Sequence, residues 1–146
     1  MGFFTVIPLL VIPVLIYNII AWGGATFSTA AAVRANLDEV FASVPMVSGA
    51  QWVITPGHAL VTLGLVVLFF ELLKSTDIGR AAIMNHAFSM VLFIICLVEF
   101  LMLDAFATSV FFLIMLMTLM DVMAGFMVTI ASARRDFAVS NGGYGE

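Results

Sequence analysis

Four stretches of this chain are long and apolar enough to cross a bilayer, and that leaves it few folds to choose from. They run from about Phe3 to Trp22, Pro56 to Leu73, Ala81 to Leu103 and Ala105 to Ala133, and a span needs about 20 apolar residues. No water reaches a peptide group inside hydrocarbon, so a crossing segment must be a self-satisfied helix or a strand of a closed barrel. Runs this long without alternation are helical. Composition agrees, with 64% hydrophobic and 10% charged residues; soluble domains sit near about half and about a quarter. The fold class expected is all-α, an integral membrane four-helix transmembrane bundle.

Details of the spans follow from their ends. "MGFFTVIPLL" carries no Lys or Arg ahead of its apolar run, so it reads as a retained span rather than a cleaved signal. Pro8 and Pro13 should bend it. "TPGH" opens the second span, with Thr55 as N-cap and Pro56 at the first helical position. Lys74 and Arg80 flank one turn, and Arg134 and Arg135 follow the last span. Placing these basic residues inside leaves both termini cytoplasmic and Arg34 outside. Tyr17, Trp22 and Trp52 then fit an aromatic belt at the outer surface. A compact chain without an organelle signal suits a bacterial inner membrane.

The long outer connection holds a second expectation. In "STAAAVRANLDEVFASVP", Val33, Leu37, Val40, Phe41 and Val44 share a stripe, which predicts a short amphipathic helix over about 29–44 ended by Pro45. It could lie in the interface plane or cap the bundle, with a docking surface for a partner as the other reading. Residues 137–146, ending "SNGGYGE", read as a disordered cytoplasmic tail.

Polar residues inside the apolar runs are the functional candidates. Thr118, Asp121, Gly125, Thr129 and Ser132 recur at helical spacing and cover about 80° of the last span's circumference. Asp121 falls about 20 Å along the helix from Arg134, near the bilayer centre. An ionised acid facing lipid there costs at least about 2.5 to 3.5 kcal/mol, so the stripe must face protein or water. Gly125 and Thr129 are small enough to admit a neighbouring helix. In the third span Asn85, Ser89, Cys96 and Glu99 form a complementary seam, and the second contributes Gly64 and Glu71. The antiparallel order puts Glu71 and His86 in the inner half, His58 and Glu99 in the outer half.

Two readings compete for these groups. In one, Asp121 is a neutral hydrogen-bonding acid at a helix contact while Glu71 and Glu99 snorkel to the two surfaces. In the other, His58, Glu99, Asp121, His86 and Glu71 are stations of a proton or ion path.

Cofactors are not required by any residue set. His58 and His86 lie at opposite ends of their spans and cannot share one iron within a protomer. Ala82-x-x-x-His86 resembles the chlorophyll-ligating spacing of light-harvesting polypeptides, a match of five residues to chains that span only once. Met115, Met117, Met120, Met123 and Met127 offer soft donors for copper, although Met is also an ordinary core filler. Haem, a chlorophyll-type pigment and copper therefore stay open as cargo. Cys96 is the lone cysteine and forms no internal disulfide. The formal charge of −4 includes the acids within spans, and without a basic patch no nucleic-acid partner is implied. No nucleophile–base arrangement, phosphate loop or zinc motif is present, so the expectation is not an enzyme. The leading expectation is a small membrane protein that works by helix association. Its partners would be the lipid bilayer with other membrane chains, as an accessory subunit, or copies of itself. The alternative is proton or ion conduction.

Overall fold

The computed structural model describes residues 6–23, 28–74 and 80–141, with the backbone alone at 80–82 and 132–141. It is mostly helical. Five helices run α1 (Val11–Trp22), α2 (Ala30–Asp38), α3 (Pro56–Lys74), α4 (Arg80–Met102) and α5 (Ser109–Asn141); β1 (Ala42–Pro45) and β2 (Gln51–Ile54) lie between α2 and α3. Among the described residues three helices are long and apolar enough to cross a membrane: α3, the Ile83–Met102 part of α4 and the Ser109–Ala131 part of α5.

The N-terminal segment departs from its expected span. Its helix begins only at Val11 and has 12 residues, about 18 Å, against roughly 30 Å of hydrocarbon. The prolines set that start. Pro13 occupies the first turn, where its missing N–H would have had no partner. Pro8 sits in the turn before it, and its carbonyl accepts from Val11 N at 3.1 Å. Residues 1–5 and 24–27 lie outside the described residues.

α3 and α4 lie within one residue of the expected bounds at each end, whereas α5 starts later and continues helical into the tail expected to be disordered. Thr55 Oγ1 accepts from His58 N at 3.2 Å and caps α3, with Pro56 as its first residue. α4 ends at Met102, and a short 3-10 turn over Asp104–Phe106 leads to α5. That turn removes Ala105 to Thr108 from the expected fourth span. Thr108 Oγ1 accepts from Phe111 N at 3.2 Å and starts α5 one residue later. α5 continues to Asn141; residues 142–146 of the expected tail, and the side chain of Ser132, lie outside the described residues.

The expected 29–44 helix stops at Asp38. Thr29 caps it, accepting from Ala32 N at 3.3 Å, and Glu39 already has extended backbone, with ψ 137. Val33 and Leu37 are buried, but Val40, Phe41 and Val44 are exposed. Val44 belongs to an antiparallel hairpin that pairs Ala42 with Ile54 and Val44 with Trp52, and Phe41 N donates to Ile54 O just ahead of it. The Ser48-Gly49 turn pair, followed by the β-formers Trp52, Val53 and Ile54, carries that signal in the sequence. Gly49 supplies the positive φ, 85°, which the turn demands.

α5 is the central element and packs on α4, α3 and α1. Glycines set the approach of α3. A Cβ at Gly64 would lie 2.8 Å from Met117 Sδ, and one at Gly57 3.1 Å from both Leu37 O and Val110 Cγ2. At the end of the bundle where α4 turns into α5, α2 is tied over the 3-10 turn: Ala30 N donates to Asp104 Oδ2 at 2.9 Å, and Arg34 Nη2 to Ala107 O at 2.7 Å.

Tyr17 leaves the expected aromatic belt for the core. Its ring lies 4.7 Å from Phe111 and 5.5 Å from Phe106, and all three are buried. The phenol donates to Ala105 O at 3.0 Å, and the Thr108 hydroxyl completes the link at 2.5 Å. Trp22 and Trp52 stay exposed. Tyr17→Phe should therefore cost about 0.5 to 1.5 kcal/mol, and Tyr17→Ala about 3 to 5 kcal/mol. Reversible unfolding in mixed micelles measures both.

Candidate functional site

α4 and α5 run antiparallel, and the two polar seams meet between them. Gly125 lies against His86, Asp121 near Ser89, Thr118 near Cys96, and Phe112 against Phe100. The spacing on each helix is why one register satisfies every pair. Asn85 and Ser89 are four residues apart on α4, as are Asp121 and Gly125 on α5, so each set stands on one face. A Cβ at Gly125 would overlap the His86 ring; glycine is what lets the imidazole sit there. Thr129, the fourth member of the α5 stripe, is exposed, and its hydroxyl donates to Gly125 O at 2.9 Å.

α3 adds Glu71 from the third side. Its carboxylate is wholly buried, yet both oxygens are engaged. Oε1 accepts from Asn85 Nδ2 at 2.6 Å and Lys74 Nζ at 3.1 Å, while Oε2 accepts from Leu9 N at 2.7 Å. Lys74 also donates to Ile7 O at 2.9 Å. So Glu71 does not snorkel toward solvent; Lys74, one turn on, is drawn down to it. The N-terminal turn at Pro8 is what leaves Leu9 N and Ile7 O outside a helix and available. The sequence places Glu71 near Lys74, but nothing in it signals the two backbone groups or the choice of Asn85.

Asp121 is equally buried and differently placed. Neither of its oxygens has a hydrogen-bond partner, nor does either ring nitrogen of His86 or Asn85 Oδ1. Among the described residues these five atoms are the buried side-chain polar atoms without a partner. Glu71 and Lys74 on α3 and His86 on α4 act on Asp121 electrostatically. Nearby hydroxyls are spent on their own helices, Ser89 on Asn85 O at 3.0 Å and Thr118 on Met115 O at 2.6 Å.

The remaining candidates are dispersed. Glu99 is half-buried and accepts from Asn18 Nδ2 of α1 at 3.4 Å. His58 is exposed beside an outer hollow of about 520 Å³ that Asp38, Trp52, Thr62 and Ser109 also line. Glu99 and His58 therefore have different neighbours, and Glu71 takes Asn85 rather than the adjacent His86. Met115 and Met117 are buried, whereas Met120, Met123 and Met127 face outward. No group of three or more His, Cys, Asp or Glu side chains suited to a metal occurs among the described residues.

Compared with known protein families, curated proteins and solved structures, the chain matches none of them.

Two equally buried acids should thus respond differently to substitution. Glu71→Leu strands the Lys74 ammonium, Asn85 and Leu9 N together, and should cost about 3 to 5 kcal/mol. Asp121→Asn removes no hydrogen bond and should change stability by less than about 1 kcal/mol. Chemical unfolding of the two variants side by side decides it, and equal losses would contradict the assignment.

Proposed function

We propose that this is a small non-enzymatic membrane protein that works by association, as an accessory subunit of a larger complex or as a homo-oligomer. In this reading α1, extended by the residues before it, completes four crossings of a bacterial inner membrane with both termini cytoplasmic. The observation that carries the proposal is the outer hairpin. Residues 40–54 include no Asp, Glu, Lys, Arg or His. Phe41, Val47 and Trp52 are 79%, 109% and 56% exposed. A two-stranded sheet with open edges and an apolar surface is a surface made to be covered. Meanwhile Glu71, Asn85, Ser89, Thr118 and Asp121 are all turned inside the chain's own bundle, so the outward helical faces are left apolar for lipid or another chain.

Native mass in mild detergent, with the components of the peak identified, tests this. The expected result is an assembly larger than one 15.8 kDa chain, reduced to the single chain when Phe41, Val47 and Trp52 are all changed to Ser. A wild-type protein that runs as one chain in its detergent belt sinks the proposal.

A second reading, proton or ion conduction, draws on one observation: Asp121 is a buried acid whose oxygens are unpartnered. It would use Asp121 with Glu71 and His86 on the inner side and Glu99 and His58 on the outer. In proteoliposomes it predicts that Asp121→Asn abolishes flux while the native mass is unchanged. Equal flux in wild type and variant would remove it.

A further inference from the structure

The hollow of about 520 Å³ beside His58 lies where α3 and α5 begin, and its size is inside the about 300 to 1,000 Å³ range of small-molecule sites. Four elements meet there. Asp38 is the last residue of α2, Trp52 comes from β2, and His58 and Ser109 stand in the first turns of α3 and α5. Asp38, His58 and Ser109 are exposed, and among the described residues their side chains hold no hydrogen bond or ion pair. They are open to a ligand. Val61 and Leu113, one turn further along α3 and α5, continue the hollow as hydrocarbon. The hollow therefore changes from polar to apolar in the direction of the two apolar helices.

The polar rim has two unlike sides. A carboxylate and an indole face, from Asp38 and Trp52, suit an ammonium group. An imidazole and a hydroxyl, from His58 and Ser109, can each donate a hydrogen bond to a phosphate oxygen. The helix ends agree with this division. Asp38 sits at the C-terminal, partly negative end of α2, whereas His58 and Ser109 sit at the N-terminal, partly positive ends of α3 and α5. A molecule that carries an ammonium beside a phosphate, with hydrocarbon below both, answers every wall. The geometry points to a binding site for the headgroup of a zwitterionic phospholipid of the phosphatidylethanolamine class. Its ammonium lies against Asp38 and Trp52, its phosphate against His58 and Ser109, and the start of its acyl chains against Val61 and Leu113. An anionic lipid without the ammonium would bring negative charge to Asp38 with nothing to offset it. A soluble phosphoammonium compound shares the head chemistry but leaves the apolar part of the hollow uncovered. The site rests on α3 and α5 crossing the membrane and not on the association reading, since all its walls belong to a single chain.

The test is a titration of the full chain, in phospholipid-free detergent micelles, with dioleoyl phosphatidylethanolamine, read as a melting shift. Dioleoyl phosphatidylglycerol has the same chains without the ammonium, and free phosphoethanolamine has the head without the chains. The expected result is a saturable shift with phosphatidylethanolamine at about tenfold lower concentration than with phosphatidylglycerol, the equivalent of one charged hydrogen bond. Free phosphoethanolamine should give no shift. Asp38→Asn, at an exposed position, should erase the preference between the two lipids. Thr62 is an exposed residue of the wall whose hydroxyl is spent on His58 O at 2.8 Å. Thr62→Phe therefore sets a ring in the hollow while leaving Asp38, His58 and Ser109 in place, and should abolish the saturable shift. Equal responses to the two lipids, or a preference that survives Asp38→Asn, would overturn the site. So would unchanged binding in Thr62→Phe, and an equal shift with free phosphoethanolamine would overturn the lipid as its source. The native mass of the same preparation reports separately on association.

Discussion

Glu71 is an acid with no access to water, and the inner end of the bundle is organised around keeping it partnered. A carboxyl group buried this completely is tolerable only when it is hydrogen-bonded and faces a group of opposite charge. Three elements supply these. α3 folds Lys74 back by one turn, α4 contributes Asn85, and the turn before α1 contributes the N–H of Leu9. The same contacts place the start of α1 against α3 and fix the rotation of α4. With α4 so rotated, Ser89 and Cys96 face α5 and His86 falls opposite Gly125. A structural ion pair thereby decides where the functional candidates point.

Asp121 shows what the chain does when it does not partner an acid. Both carboxylates are fully buried on neighbouring helices, yet one is held by three hydrogen bonds and the other by none. Glu71 is fixed by three donors, whereas atoms of Asp121, His86 and Asn85 are buried without a partner. Consistency of local and global preference is the rule in folded chains, and departures gather where function is located. The contrast between the two acids is therefore the most direct functional signal in this protein.

The outer end is built on different physics. Tyr17, Phe106 and Phe111 form a dry aromatic cluster closed by the Tyr17 and Thr108 hydroxyls. Above it, Arg34 and Asp104 use charged hydrogen bonds to hold α2 on the 3-10 turn. Among the described residues the hairpin shows no such charged tie; its sequence is uncharged, and Phe41, Val47 and Trp52 are exposed. Polar fastening of α2 beside an unfastened apolar hairpin is the arrangement from which an association surface is read.

The sequence by itself determined that this chain is mostly helical with helices long and apolar enough to cross a membrane, where α3 begins, and which residues share a face of α4 and of α5. Those follow from bilayer thickness and from the helical period, both local properties of the chain. It also carried the Ser48-Gly49 turn of the hairpin, but the apolar stripe through Val33, Leu37, Val40 and Phe41 fits a helix equally well, and only pairing with Gln51–Ile54 settles the choice. Tertiary structure alone decided that Tyr17 enters the core and that Glu71 is partnered while Asp121 is not. Periodicity tells which residues share a face, but not how one helix is rotated against the next. The partners of Glu71 include the backbone of Leu9, 62 residues away, and a backbone group freed by a proline turn has no signature in the residues it will serve.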